Sequence, residues 1–279
     1  MKKPKSIITY LVEGTPNGIR TIELSNWIGK GICFPRARLK AAKQRPELQQ
    51  PGIYFLFGEN DQGKAAVYVG EAETLAHRLS HHDAKKDFWS LAICFTSKDQ
   101  NLTKADVKYL ESRSIEISQN MQRFALINTN KPSINTLPEY QAASMEEFLE
   151  NIQLLTASLG FPLLEPLVQK DDQGAQHQYS VTAKGAQAHG IYNENGMVVL
   201  AGSTCSKNFT ASTRNHIKSL QSELIASGIL EEAGDYYKFT SDYCFSSPST
   251  AAVLIMGRSA NGWTAWKDKN ANTLSDNER

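Results

Sequence analysis

Two tyrosines, an arginine, a histidine and a glutamate are the side chains of this 279-residue chain whose types and spacing suit one shared chemistry. Tyr54 and Tyr68 lie in short apolar runs next to glycine, GIYFLFG and AVYVG. Alternation along a strand points Ile53, Phe55 and Phe57 to one face and Tyr54 and Leu56 to the other, with Val67 and Val69 opposite in sense to Tyr68. A hairpin that pairs Tyr54 across from Tyr68, with its turn centred on Asp61, brings both phenols to one face. Gly52 and Gly70 would then allow close backbone approach. In the following stretch, ETLAHRLSHH, Leu75 and Leu79 form the buried edge of a helix, and Arg78 and His82, four apart, share the neighbouring face. A cation beside an imidazole suits phosphate binding and proton transfer. In TKADVKYLESRSIEISQN, Val107, Leu110, Ser114 and Ile115 mark an inward helical stripe, and Glu111 falls inside it. A carboxylate there must be paired, for example with Arg78, or bind a cation. Each feature alone has an ordinary structural explanation: a cross-strand aromatic pair, a solvated basic helix, a salt bridge. Their convergence on one cleft is what points to chemistry.

The elements that must position these groups follow from periodicity. Residues 7–12 and 20–24 read as strands joined by the turn GTPNG, and 36–45 as a helix closed by Pro46. The tyrosine hairpin spans 52–70, with a helix near 73–83, a strand over 88–96 and a longer helix over 103–120. Thr103 is its expected N-cap, with Asp106 three residues on. A further helix runs from Ser144 to a stop at Gly160. The polar stretch 170–178 reads as a linker. Beyond it lie strands near 179–183 and 197–201, a helix over 210–227 and a hairpin over 228–240. The tail 269–279 is expected to be disordered. The expected organisation is therefore a basic segment 1–50, a core domain 51–140, a helical extension 141–169, the linker and an accessory domain 179–268.

Composition bounds the function. The chain is long enough for two domains, and 41% hydrophobic with 21% charged residues is ordinary for a globular protein. No apolar run reaches the roughly 20 residues that span a bilayer, and Glu13 interrupts the amino-terminal apolar run, so neither membrane association nor a signal peptide is expected. The four cysteines, Cys33, Cys94, Cys205 and Cys244, are scattered, which argues against a disulfide scaffold or zinc site and favours the cytoplasm. The net charge of +1 is uneven: residues 1–50 carry +7 and the rest −6. Arg36, Lys40 and Lys43 recur at helical spacing as a basic stripe, the first candidate for contacts to a polyanionic partner.

The ordered set Gly52-Ile53-Tyr54, Tyr68-Val69-Gly70, Arg78 and Glu111 resembles the GIY-YIG nucleases over about residues 51–135, YVG being a usual variant of the second triplet. The resemblance implies an α+β fold, a small three-stranded antiparallel sheet flanked by helices, joined here to a second α+β domain. It implies an endonuclease that cuts one DNA strand per active site with a single divalent ion, Mg²⁺ or Mn²⁺, held by Glu111. Tyr54 and Tyr68 would be the paired phenols, one of them the base or water-orienting group, and Arg78 would stabilise the phosphate. His82 falls where relatives carry tyrosine or histidine, and Asn128 or Asn130 is in place of a supporting asparagine. Repair members of the family carry a lysine after the second triplet. Here Glu71-Ala72-Glu73 supplies no cation, leaving Arg78 or a protonated His82 to assist a phenol whose free pKa is about 10. The rival expectation is a catalytically silent DNA-binding or protein-interaction module, which would be expected to have lost part of this set. The stretch DYCFSSPSTAAVLIMGRSANGWTAWK is similar to a domain of uncharacterised function that often follows GIY-YIG domains in bacterial proteins.

Overall fold

The computed structural model describes residues 4–121, 123–128, 136–165, 178–183, 185–193, 196–211 and 213–279. The chain is α+β and divides into two units, Met1–Glu165 and Pro166–Arg279. Of the expected linker, residues 170–177 lie outside the described residues, and Gln178 already opens a strand.

The first unit is built on one sheet. Its strands are β1 (Ile7–Leu11), β2 (Arg20–Leu24), β3 (Gly29–Pro35), β4 (Gly52–Glu59), β5 (Ala65–Ala72), β6 (Trp89–Ser97) and β7 (Ala125–Leu126), in the order β1-β2-β3-β6-β4-β5-β7. Every pairing is antiparallel except β5 with β7. The expected three antiparallel strands, β6-β4-β5, thus lie inside a seven-stranded sheet. Residues 1–50 are not a separate segment, because β3 pairs along its whole length with β6.

Strand alternation gives the sheet two apolar faces. Ile53, Phe55, Phe57, Val67, Val69, Ile93 and Phe95 face α3 (Lys104–Met121) and α4 (Glu139–Ser158), whose Leu110, Ile115, Leu149 and Ile152 complete that core. Tyr54, Leu56, Ala92 and Cys94 face the other way, against Leu39 of the short α1 (Leu39–Ala42) and Leu75 and Leu79 of α2 (Leu75–Lys85). The helix expected over 36–45 is in fact a 3-10 turn at Arg36–Arg38, the four residues of α1, and a second 3-10 turn at Pro46–Gln49. Thr103 and Asp106 cap α3 reciprocally: the Thr103 amide and hydroxyl both donate to the Asp106 carboxylate, and the Asp106 amide donates to the Thr103 hydroxyl.

The second unit pairs β8 (Gln178–Ala183), β9 (Ala186–Asn193), β10 (Gly196–Val199) and β14 (Tyr243–Phe245) in one antiparallel sheet. A smaller one holds β11 (Thr204–Ser206), β12 (Leu230–Ala233) and β13 (Tyr236–Phe239). Around them pack α5 (Asn215–Ala226), α6 (Pro248–Met256), α7 (Gly262–Ala265) and α8 (Leu274–Glu278). Ser247 caps α6, Pro248 occupies its first position, and Gly257 ends it at φ 66°. The tail expected to be disordered instead forms α8, with buried Leu274, a Thr273–Asp276 capping box and the Tyr179 hydroxyl donating to Glu278. Among the described residues, no helix is long and apolar enough to cross a membrane.

Candidate active site

The hairpin carries the two phenols in a register two residues away from the expected one, which keeps both on the same face. Tyr54 lies opposite Gly70, and Tyr68 opposite Leu56. The reason is in the turn. The Asn60 side chain accepts from the amides of Gln62 and Lys64, and Gly63 supplies a left-handed residue at φ 70°. The loop is therefore centred on Gln62, not Asp61. Tyr54 and Tyr68 become diagonal neighbours on the same face, with rings stacked at 6.2 Å between centroids. Gly70 now has a specific role: a Cβ there would run into the Tyr54 hydroxyl, so the bare backbone is what makes room for the phenol. A Cβ at Gly52 would meet the Phe95 carbonyl and, at 2.8 Å, Leu75 Cδ1, which makes that glycine a condition of sheet and helix packing.

Helix α2 brings Arg78 and His82 to the phenols. Leu75, Leu79 and His82 lie on its buried side, so His82 is only 3% exposed. Its Nε2 is 2.7 Å from the Tyr54 hydroxyl, which also accepts from Arg78 Nε at 3.3 Å. With its oxygen accepting from arginine, the phenol directs its own hydrogen to His82 Nε2. That arrangement requires a neutral imidazole carrying its hydrogen on Nδ1, a buried atom with no partner among the described residues. Burial first, and then Arg78, Lys86 and His81, push His82 down to about 4. His82 is therefore not the protonated cation anticipated beside the tyrosines; it is the acceptor for Tyr54. Burial and the neighbouring Tyr68 raise Tyr54 far above the usual phenol range, against the opposing pull of Arg78, so Tyr54 stays protonated. Tyr68 is half-buried, and Lys86 sits over its ring at 4.4 Å. Arg78, held charged chiefly by its bond to Tyr54, lies within reach of both phenols.

Helix α3 contributes Glu111 from the opposite side of β5. Its carboxyl is pushed up to about 7, by burial and then by the Glu71 carboxylate, while Arg78, the Glu71 amide and Lys108 pull the other way. The Arg78 ion pair considered for Glu111 is absent from the ion pairs of the described residues; the contact is a longer-range attraction. Glu71 thus becomes a member of the site. Sequence reasoning treated it only as the lack of a cation, whereas the sheet sets it beside Glu111 as a second carboxylate. A partly buried carboxyl raised by a like-charged neighbour suits a hard divalent cation, which would relieve both penalties. Among the described residues no three His, Cys, Asp or Glu side chains gather as a metal site, so such an ion would keep several waters.

Asn128 binds the second triplet directly. Its side chain accepts from the Val69 amide at 3.0 Å and donates to the Val69 carbonyl at 2.8 Å, standing in for a neighbouring strand. Asn130 lies outside the described residues.

The basic stripe is corrected in part. Arg36 binds the Asp83 carboxylate at 2.7 Å and Asp87 at 3.2 Å, and covers the Trp89 ring, so it ties the 36–38 turn to α2 rather than facing a partner. Lys43 donates to the Ser80 hydroxyl at 3.1 Å. Of the three, Lys40 alone is fully exposed. Other amino-terminal cations are likewise engaged, with Lys30 and Arg45 both on Glu47. The exposed basic surface next to the phenols is instead the outer side of α2, His77, Arg78, His81 and Lys85, legible in the sequence as a four-residue repeat.

Residues 179–278 match the model of a domain of unknown function, DUF4357. No curated protein and no solved structure matches the chain. The family match lies wholly in the second unit, so any reading of the tyrosine site rests on its own residues and geometry.

Proposed function

We propose that the first unit is a metal-dependent endonuclease of the GIY-YIG type, hydrolysing DNA phosphodiester bonds one strand per active site with Mg²⁺ or Mn²⁺. The observation that supports this most is the convergence of two phenols, Arg78 and a neutral His82 at one hydrogen-bonded cluster, with Glu111 in electrostatic contact with Tyr54 and Arg78.

Phosphodiester hydrolysis needs an activated water, neutralised phosphate charge and a stabilised leaving oxygen. The geometry divides the tyrosines between these tasks. Tyr54 is enclosed, protonated and bonded on both sides, so it is a positioning residue that sets the guanidinium of Arg78. Tyr68 is the phenol open to solvent; on this reading it orients the attacking water, and its phenolate form takes the water proton as the new phosphorus–oxygen bond forms and the bond from phosphorus to the leaving oxygen breaks. The rest of the exposed Arg78 guanidinium, with Lys86 against Tyr68, presents positive charge where the phosphate would lie. Glu111, with Glu71 beside it, would hold the divalent ion, which when bound stabilises charge on the leaving oxygen.

A plasmid-nicking assay with Mg²⁺ and with Mn²⁺ tests the reading. Glu111→Ala and Arg78→Ala should each lower the nicking rate by about 10²-fold or more, the scale of losing one charge-stabilising group. Tyr68→Phe should abolish it with the fold intact. Cleavage that survives both Glu111→Ala and Arg78→Ala would place the activity elsewhere, and a wild type that cuts nothing would favour a silent binding module.

A further inference from the structure

The second unit holds a cavity of about 180 Å³. Three segments wall it: the start of α5, with Arg214 and His216; the start of α6, with Ser249 and Thr250; and the loop after α6, with Ser259. Ile217 and Val253 supply its apolar part. We propose that this cavity binds a phosphate group.

The walls are tied to one another. Gly257, which ends α6 in the left-handed region, offers its carbonyl to the Thr210 amide at 2.8 Å and to the Thr213 hydroxyl at 3.3 Å, joining the lead-in of α5 to the end of α6. At the far end of the loop, the Gly262 amide donates to the Ser249 hydroxyl oxygen at 3.0 Å. A Cβ at Gly262 would run into the backbone of Pro248 and Ser249, so the glycine is what lets the loop close on the start of α6. The stretch SSPSTAAVLIMGRSANG, which has no place in the tyrosine site, thus folds back on itself to make two of the three walls.

The cavity is rich in donors and poor in acceptors. No Asp or Glu lines it. Of the ten arginines of the chain, eight engage a carboxylate, hydroxyl, sulfur, carbonyl or aromatic ring. The two with no partner among the described residues are Arg214, in the wall, and Arg258, directly before the lining Ser259. Two guanidinium groups left unengaged at one cavity match the planar, permanently charged donor that phosphate favours. The Ser249 oxygen already accepts from Gly262, so its hydroxyl hydrogen is left to donate. His216 and Ser259 also have no side-chain partner among the described residues. Arg214 stands at the N-cap of α5 in place of a side-chain acceptor, and the Asn215 and His216 amides find no acceptor among the described residues. A cation would meet no carboxylate here, and an apolar ligand would leave the donors unpaired. A planar carboxylate has two oxygens on one side; a tetrahedral phosphate has oxygens for all three walls.

The site lies wholly in the second unit and does not depend on the nuclease reading. Titration of the isotope-labelled full-length chain with inorganic phosphate, followed by its backbone amide resonances at constant ionic strength, tests it. The amides of Asn215, His216, Ser249 and Ser259 should shift saturably with phosphate and not with chloride. Arg214→Gln should weaken the binding at least about tenfold, the cost of one charge-assisted bond. Because Arg214 is exposed, resonances elsewhere should stay in place and show that the fold is kept. Ser259→Trp keeps every cation but fills the cavity, and it should abolish the shifts, whereas mere attraction between charges would survive it. Competition then identifies where the phosphate comes from. Displacement of inorganic phosphate by a single-stranded oligonucleotide with a terminal phosphate, and not by its unphosphorylated twin, assigns a strand end; displacement by both assigns the strand backbone, and by neither a free phosphate. Each of these supports the site. Absence of saturable shifts in wild type overturns the proposal, as do shifts that survive either substitution.

Discussion

Replacing Glu111 with glutamine should uncover a pH dependence of stability that the metal-free wild type conceals. Glu111 is raised from 4.5 to about 7 in the folded protein, chiefly by burial and the Glu71 carboxylate. Between those values the folded state keeps a proton that the unfolded chain has released. The stability it confers is therefore complete below pH 4.5 and is lost as pH rises to 7. His82 is lowered from 6.5 to about 4 by burial and nearby cations. Here the unfolded chain binds a proton that the folded state refuses, so stability is complete above pH 6.5 and is lost as pH falls to 4. Each group contributes a slope of about 1.4 kcal/mol per pH unit, of opposite sign. From pH 4.5 to 6.5 the two slopes cancel.

In Glu111→Gln only the His82 slope remains, and the first unit should gain about 2–3 kcal/mol between pH 4.5 and 6.5. At pH 8 the variant should be more stable than wild type by a similar amount, because an ionised carboxylate has been removed from a poorly solvated place. His82→Gln should show the reverse, a decline from pH 4.5 to 7. Urea titrations in a chelator, followed by hydrogen exchange of β4 peptides, report this unit alone. Glu47 and Glu146, both lowered in the folded state, titrate alike in every protein compared and cancel in the difference. Adding Mg²⁺ at pH 8 should stabilise wild type and leave Glu111→Gln unmoved. Parallel pH profiles for wild type and Glu111→Gln would refute both the coupling of Glu111 to Glu71 and its assignment as the cation-binding group.

Gly70→Ala should disturb the site more than the fold: its methyl group meets the tip of Tyr54, and a nicking rate that falls with a loss of only about 1–3 kcal/mol would be the signature of a displaced phenol. Gly52→Ala presses on the Phe95 carbonyl, a backbone atom that cannot yield, so it should cost more stability than Gly70→Ala in the same urea titration. For DNA affinity, Lys85→Glu on the outer side of α2 should lower the slope of log K against log salt by about 1 or more. Arg36→Ala should leave that slope unchanged and instead cost about 1 kcal/mol of stability, through Asp83, Asp87 and the Trp89 ring.

The parts of the fold legible in the sequence are those where one periodicity runs uninterrupted. Alternation in GIYFLFG and the inward stripe of TKADVKYLESRSIEISQN predict β4 and α3 to within a residue or two of their ends. What escaped was set by contacts distant in sequence. GKGICFP, with two glycines and a proline, lacks a strand signature, yet it is β3 because β6 gives it a full ladder. That one pairing merges residues 1–50 into the sheet. Arg36 reads as a free cation until the fold brings Asp83 and Asp87 to it. The tail contains a visible capping signal, Thr273 with Asp276, but its polar composition outweighed it; buried Leu274 is what anchors the helix.

The two-residue register difference in the hairpin has the largest consequence for chemistry. Had Tyr54 faced Tyr68 directly, the two phenols would have been equivalent candidates for the base. Asn60 and Gly63 move the turn centre by one position, Tyr54 comes to lie over Gly70, and its hydroxyl sinks between Arg78 and His82. The same shift leaves Tyr68 over Leu56, nearer solvent and under Lys86. The asymmetry between the tyrosines therefore originates in the loop, outside the motif itself. A cation after the second triplet is not needed to tell them apart, because burial already does so. The position after that triplet is free to carry Glu71, whose carboxylate raises the pKa of Glu111 and thereby the benefit of a divalent ion there.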